Sequence, residues 1–292
     1  MCCKHGGFLI LKIMNDLNLN LSEQQVKLKA FLDGLYFAYS RKELIQPDPL
    51  WFLHCYAPEN IEAVGLIASS LAYGRVAQIL KSVDAVLNKL GDNPRNFLIN
   101  NFNDLKGLLK NFKHRFTTAS DMENLLINIA KVLKQYDSIE NFLRECLIKA
   151  NNNLLSALDL FAEALSVNNN FDASLLSRFP LITAPKDGSA CKRLFLFLKW
   201  MVRHDDVDPG GWTVLKPKDL IMPTDTHIHN ISQRLGLSKR KQADLKTALE
   251  ITNSLAKLNP EDPTKYDFVL TRFGIRDGLS MDELSELAGI EN

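Results

Sequence analysis

An all-α fold is predicted by two observations: glycine and proline are scarce, and apolar residues recur three and four positions apart along almost the whole chain. Gly (14) and Pro (11) make up about 9% of 292 residues, below the roughly 12% of average proteins, and the spacing is that of helices burying one face. Between Glu59 and Leu90 the residues Ile61, Val64, Ile67, Val76, Ile79 and Val83 mark such a face. It is bent or broken near Gly74 and closed by Gly91, a good C-cap residue. Further helices are expected over Met122 to Lys134, Ser138 to Lys149 and Leu154 to Leu165, separated by Asn-rich or Asp/Ser turns. The stretch Asn168 to Asp187, with Pro180 and Pro185, reads as an irregular connector and the internal boundary. Three parts follow: an N-terminal extension over 1–16, a helical subdomain over 17–167, and a second over 168–292. In the last part a helical run from Gln242 ends at Leu258, before Asn259-Pro260, and Thr264 to Phe273 closes the chain as a helix.

With 46% apolar and 24% charged residues, the chain has ample core, and disorder and fibrous repeats are excluded. Lys plus Arg is 35 against 34 Asp plus Glu, a formal charge of +1, so any basic surface for an anionic partner must be local. Cys2, Cys3, Cys55, Cys146 and Cys191 are scattered and lack paired ligand spacing, which disfavours a disulfide scaffold, a zinc ribbon or an iron-sulfur cluster. The apolar run Phe8 to Met14 is interrupted by Lys12 and is too short to span a bilayer or serve as a secretory segment. The expected setting is a monomer in a reducing cytoplasm, without membrane contact or cofactor.

The chemistry-bearing residues concentrate after the connector. Ser189 to Arg203 is apolar nearly all round and belongs in the middle of the protein. At 100° per residue Lys192, Lys199 and Arg203 fall within about 20° of one line, so this helix carries one cationic edge. Such an edge borders a cleft, or its long side chains snorkel to solvent. Lys192 lies in the first turn, where the helix dipole disfavours an ammonium and flanking Phe and Leu side chains add desolvation. A lysine made partly neutral in this way can act as a nucleophile and form a Schiff base. The second cluster is Pro223-Thr224-Asp225-Thr226-His227-Ile228-His229. Asp225 reads as a helix N-cap. The 33-residue separation of Lys192 and Asp225 leaves enough linker for the two to meet.

Those two clusters resemble the signature of the helix-hairpin-helix DNA glycosylase superfamily, which includes endonuclease III: a hairpin L-P-G-x-G-x-K opening a helix, then V-D-T-H. Here Gly188 stands at the first glycine, Lys192 at the lysine, and Thr224-Asp225-Thr226-His227-Ile228 at the aspartate motif, while Ala190 replaces the second glycine. The long lysine-to-aspartate spacing is similar to that of the archaeal 8-oxoguanine glycosylase branch. From about Leu50 onward the chain also resembles an uncharacterised bacterial family, regarded as distant relatives of these enzymes, with blocks such as VGLIASSLAYGRVAQI and CKRLFLFLKWMVRHDD.

The resemblance implies a nucleotide swung out of double-stranded DNA, with Lys192 attacking C1′ and Asp225 assisting deprotonation and stabilising charge at the sugar. The product is a base-excision glycosylase with abasic-site lyase activity on an oxidised purine such as 8-oxoguanine. Tyr73 and Arg75 lie in a block resembling the DNA-facing turn. Tyr73, Trp200 and Trp212 are candidates for stacking on a base. The Gly188 and Ser189 amides, Lys199, His227 and the basic runs Lys110 to Arg115 and Lys239 to Lys241 are candidates for contacting DNA. Two other readings compete. One is a non-catalytic helical binder of DNA or RNA that keeps the fold. The other is a metal-dependent hydrolase using Asp205, Asp208, His227 and His229, although His227 and His229 lack the i, i+4 spacing of helical ligands.

Overall fold

The computed structural model describes residues 21–169, 172, 174, 179–273 and 284. The expected extension over 1–16, Cys2 and Cys3, and part of the connector lie outside them. Among the described residues helices dominate, and the β-structure consists of one two-stranded antiparallel hairpin, Lys113–His114 (β1) with Thr117–Thr118 (β2), and an isolated bridge. The helices are α1 (Glu23–Tyr39), α2 (Ile61–Ser70), α3 (Val76–Leu90), α4 (Pro94–Asn100), α5 (Ala119–Tyr136), α6 (Ile139–Lys149), α7 (Leu154–Leu165), α8 (Lys192–Val202), α9 (Thr226–Arg234), α10 (Leu245–Leu258) and α11 (Asp267–Leu270).

Local chemistry explains most of these boundaries. Ser22 and Thr118 open α1 and α5 with reciprocal capping boxes through Gln25 and Asp121, so two orphan donors are satisfied at each start. Ser138, Asn153 and Asp244 cap α6, α7 and α10 through their side chains. The long stripe from Glu59 is two helices: the chain leaves helical geometry from Leu71 to Arg75, and Gly91 closes α3 at φ 73°. The helix expected over Thr264 to Phe273 is shorter than its apolar pattern, covering Asp267–Leu270, and α10 begins at Leu245 because Asp244 accepts the Thr247 amide at 2.9 Å.

The centre is α8, in which every residue from Leu194 to Val202 is buried. Trp200, Phe195 and Phe197 are among the largest fully buried side chains. Helix α2 packs along it, and Gly65 permits that approach, since a β-carbon there would meet Met201 Cε at 2.9 Å. One hydrophobic cluster runs from Leu28 to Leu284 through all these helices. No helix among the described residues is long and apolar enough to cross a membrane.

Candidate active site

A turn from Gly188 to Cys191 opens α8. Gly188 takes the left-handed conformation at φ 74°, ψ 0°, where a residue with a β-carbon would be strained. Cys191, the N-cap, is left-handed too and offers no side-chain cap. The turn is tied to α10 by the Ser189–Asp244 bridge and by the Leu245 amide donating to the Gly188 carbonyl at 3.1 Å. A single 3-10 turn, Pro185–Asp187, precedes it where the helix-hairpin-helix pattern has a helix.

Asp225 is the N-cap of α9, and its two oxygens do different work. Oδ1 accepts the Ile228 amide at 2.9 Å, and Oδ2 lies 3.0 Å from the Lys192 Nζ. Lys192 also donates to the Ala72 carbonyl at 3.3 Å, just past α2. Burial by itself would raise the Asp225 carboxyl; the Lys192 ammonium and the Ile228 amide outweigh it and hold the group below the ordinary carboxylate range. Lys192 and Asp225, remote in sequence, therefore meet as an ion pair, and their side chains are 28% and 36% exposed.

Both line a cavity of about 500 Å³, within the range of small-ligand sites. Its walls include Leu196, Trp200 and Phe268, and its polar groups include His227 and a second lysine-carboxylate pair, Lys199 with Asp267 at 2.9 Å. Lys199 is 1% exposed and also faces Asp208 at 3.2 Å. Burial works against its charge, and Asp208 and Asp267 override it, raising its pKa. Arg203 continues this interior network with Asp208, Asp205 at 3.1 Å and Asp262 at 2.9 Å. Of the two readings of the cationic edge, snorkelling to solvent does not hold for Lys199 and Arg203, since buried carboxylates compensate them inside the protein. Lys199 thus faces the cavity as half of an ion pair and does not reach an outer phosphate.

The other candidate residues divide. Tyr73 lines the cavity, its hydroxyl fixed by donating to the His114 carbonyl at 2.8 Å and by a 2.7 Å contact with Thr117 Oγ1. His227 lines it as well, with a buried Nε2 that has no hydrogen-bond partner. Ser189 lies on an adjoining smaller cavity, and Arg75 is exposed at the start of α3. Trp212 is a correction: its indole donates to Glu62 Oε1 at 2.8 Å and packs edge-on against Phe197 in the core, so it is not placed to stack on a base. In the basic run at 239–241, Arg240 is taken up by Asp244 at 2.7 Å.

The metal-site grouping does not assemble. Asp205 and Asp208 bind Arg203, and His229 Nε2 lies 2.8 Å from the Arg240 carbonyl. Among the described residues no group of three or more His, Cys, Asp or Glu is arranged to hold a metal ion. Sequence reading also missed Asp267 and Phe268. A lone acid inside the apolar run YDFVL was the available signal, because a buried carboxylate requires a partner.

The family follows from comparison with known proteins. Residues 48–276 match the model of a family described as a protein of unknown function, DUF2400, and the chain belongs to it. No curated protein and no solved structure matches the chain.

Proposed function

We propose that the protein is a DNA base-excision glycosylase with abasic-site lyase activity, acting in the cytoplasm on an oxidised purine such as 8-oxoguanine. In this reading it has the two-subdomain, helix-hairpin-helix glycosylase-like fold, with the cavity as its cleft. The observation that carries it is the 3.0 Å approach of Lys192 to Asp225 on the wall of a cavity of about 500 Å³. Support comes also from the motif resemblance at Gly188, Lys192 and Thr224 to Ile228.

The chemistry uses the pair directly. A flipped nucleotide enters the cavity beside the partly exposed Tyr73, Lys192, Asp225 and His227, with the buried Trp200, Phe268 and Lys199–Asp267 pair forming the floor beneath it. The resting pair is an ammonium and a carboxylate, so transfer of a proton from Lys192 to Asp225 is uphill and reaches only a minor neutral state, from which the freed amine attacks C1′. The C1′–N9 bond breaks, and the base leaves with the bonding electrons and takes up that proton. The regenerated Asp225 carboxylate stabilises positive charge at the sugar. Ring opening gives a Schiff base between Lys192 and C1′, and loss of a 2′ proton then expels the 3′ phosphate by β-elimination.

The test is turnover on duplex DNA carrying 8-oxoguanine or an abasic site. Lys192→Gln is expected to abolish strand cleavage while retaining DNA binding. A second reading is favoured by one observation: Lys192 links the end of α2 to α9 through Ala72 and Asp225, as a purely structural tie would in a non-catalytic nucleic-acid binder. Unchanged behaviour of Lys192→Gln, against a wild type that binds and does not cleave, supports that reading.

A further inference from the structure

Two phenylalanines are unusually placed for a helical protein. Phe116, in the turn joining β1 to β2, is 54% exposed, and Phe179 is 60% exposed. Their ring centroids lie 4.9 Å apart in a tilted arrangement, at an interplanar angle of 37°. Exposed aromatic pairs of this kind forfeit burial and mark contact surfaces.

The hairpin that presents Phe116 is only two residues wide on each strand, too little to hold its shape alone. It is bolted to the turn between α2 and α3. The Tyr73 hydroxyl reaches the His114 carbonyl and Thr117 Oγ1, His114 Nε2 lies 3.0 Å from the Tyr73 carbonyl, and His114 Nδ1 lies 2.9 Å from Ser82 Oγ. The strand residues on either side of the turn that carries Phe116 are therefore anchored beside the candidate active site.

Phe116 and Phe179 line a smaller cavity of about 290 Å³ that shares Ala72, Tyr73 and Lys192 with the larger one. Lys192 and Arg193 are its charged lining residues, and none of its lining residues is acidic. The Arg193 guanidinium lies 5.1 Å from the Tyr73 ring centroid, and that of Arg115 lies 5.6 Å from the Phe116 ring centroid. Lys192 is already paired with Asp225, whereas Arg193 donates to the Ser70 and Pro180 carbonyls, so an aromatic face bordered by the Arg193 and Arg115 cations is complementary to a nucleotide: the base stacks and the phosphate meets the positive charge.

We propose that Phe116 and Phe179 form a stacking platform for an unstacked nucleobase flanking, in the same strand, the nucleotide held in the larger cavity. This rests on the nucleic-acid reading of the Lys192–Asp225 site and adds to it where the neighbouring nucleotide goes.

The test is fluorescence anisotropy with labelled DNA, single-stranded and as a duplex containing a non-cleavable abasic analogue, together with borohydride trapping on a cleavable abasic duplex. Phe116→Ala/Phe179→Ala is expected to weaken binding about tenfold or more, because stacking on one aromatic side chain carries roughly that factor. Phe116→Trp is expected to retain binding and to show tryptophan quenching on adding DNA, and this readout stands even if the double variant fails to fold. Equal affinity of the wild type and a folded double variant, with no quenching of Phe116→Trp, overturns the platform; a borohydride adduct from the same wild type leaves the lyase standing. Loss of binding in the double variant, when the wild type forms no adduct, supports the platform without the chemistry. A wild type that binds no DNA overturns both. Self-association abolished by the double variant, with DNA binding unchanged, assigns the patch to a second copy and overturns the proposal.

Discussion

His114 shows how a single residue sets the geometry around the site. Its ring is buried between Ser82 and the Tyr73 carbonyl. Burial lowers its pKa below the ordinary histidine value, with the nearby Arg115 and Arg193 cations acting in the same direction and hydrogen bonds to carbonyls opposing them. The folded state thus binds the proton more weakly than the unfolded chain. The stability this contributes is present above about pH 6.5 and is lost as pH falls through the lower folded value. Thermal unfolding of the wild type is expected to show a Tm that drops between about pH 7 and 5, with a flatter profile in His114→Asn. Identical slopes would remove His114 as the cause. Asp225 has the opposite chemistry with the same sign: held low by Lys192 despite its burial, it keeps its contribution until pH falls below the ordinary carboxylate range. These two effects are separable because they occupy different pH windows.

Elements are joined at this site by side chains that finish one helix while holding another. Asp225 caps α9 and meets the first residue of α8. Glu62 on α2 accepts the Ile139 and Glu140 amides at 2.7 and 3.0 Å, completing the start of α6, and the Trp212 indole at 2.8 Å. Glu62→Ala leaves those three donors without their partner and is expected to cost about 2–4 kcal/mol, read from urea unfolding at unchanged m-value. A cost under about 0.5 kcal/mol would show that water replaces the carboxylate. The same level shows which parts were legible in the sequence. The start of α8 and the cap at Asp225 have local signatures, a turn glycine before a cationic apolar helix and an acid before an amphipathic run, so Lys192 and Asp225 could be named together. The hairpin carrying Phe116 could not, because two-residue strands have no periodicity to detect and their anchor, Tyr73, lies about forty residues earlier. Trp212 looked like a loop aromatic because its partner Glu62 is still more remote, 150 residues earlier.

Across the whole molecule, the interior charge network decides how the cavity is built. Lys199 in the last turn of α8 and Arg203 at its C-cap carry positive charge into the interior, and Asp208, Asp262 and Asp267 meet them there from segments that follow it. Periodicity put these cations on one edge of a central helix but could not say whether that edge faced water or carboxylates, since their partners come from distant turns. Lys199→Met keeps most of the side-chain volume and deprives Asp267 and Asp208 of this cation. It is expected to destabilise the fold by about 3–5 kcal/mol, as breaking a buried pair does. A change below about 1 kcal/mol would mean that the pair is dispensable and the cavity floor is free to serve binding alone.

The central claim is that the Lys192 amine attacks a sugar carbon. The most direct measurement is borohydride reduction of the wild-type protein with duplexes carrying 8-oxoguanine or an abasic site, followed by peptide mapping of any covalent adduct by mass spectrometry. The predicted result is a reduced Schiff base on Lys192, absent from Lys192→Gln. An adduct on a different lysine, or none from folded protein with either duplex, would contradict it.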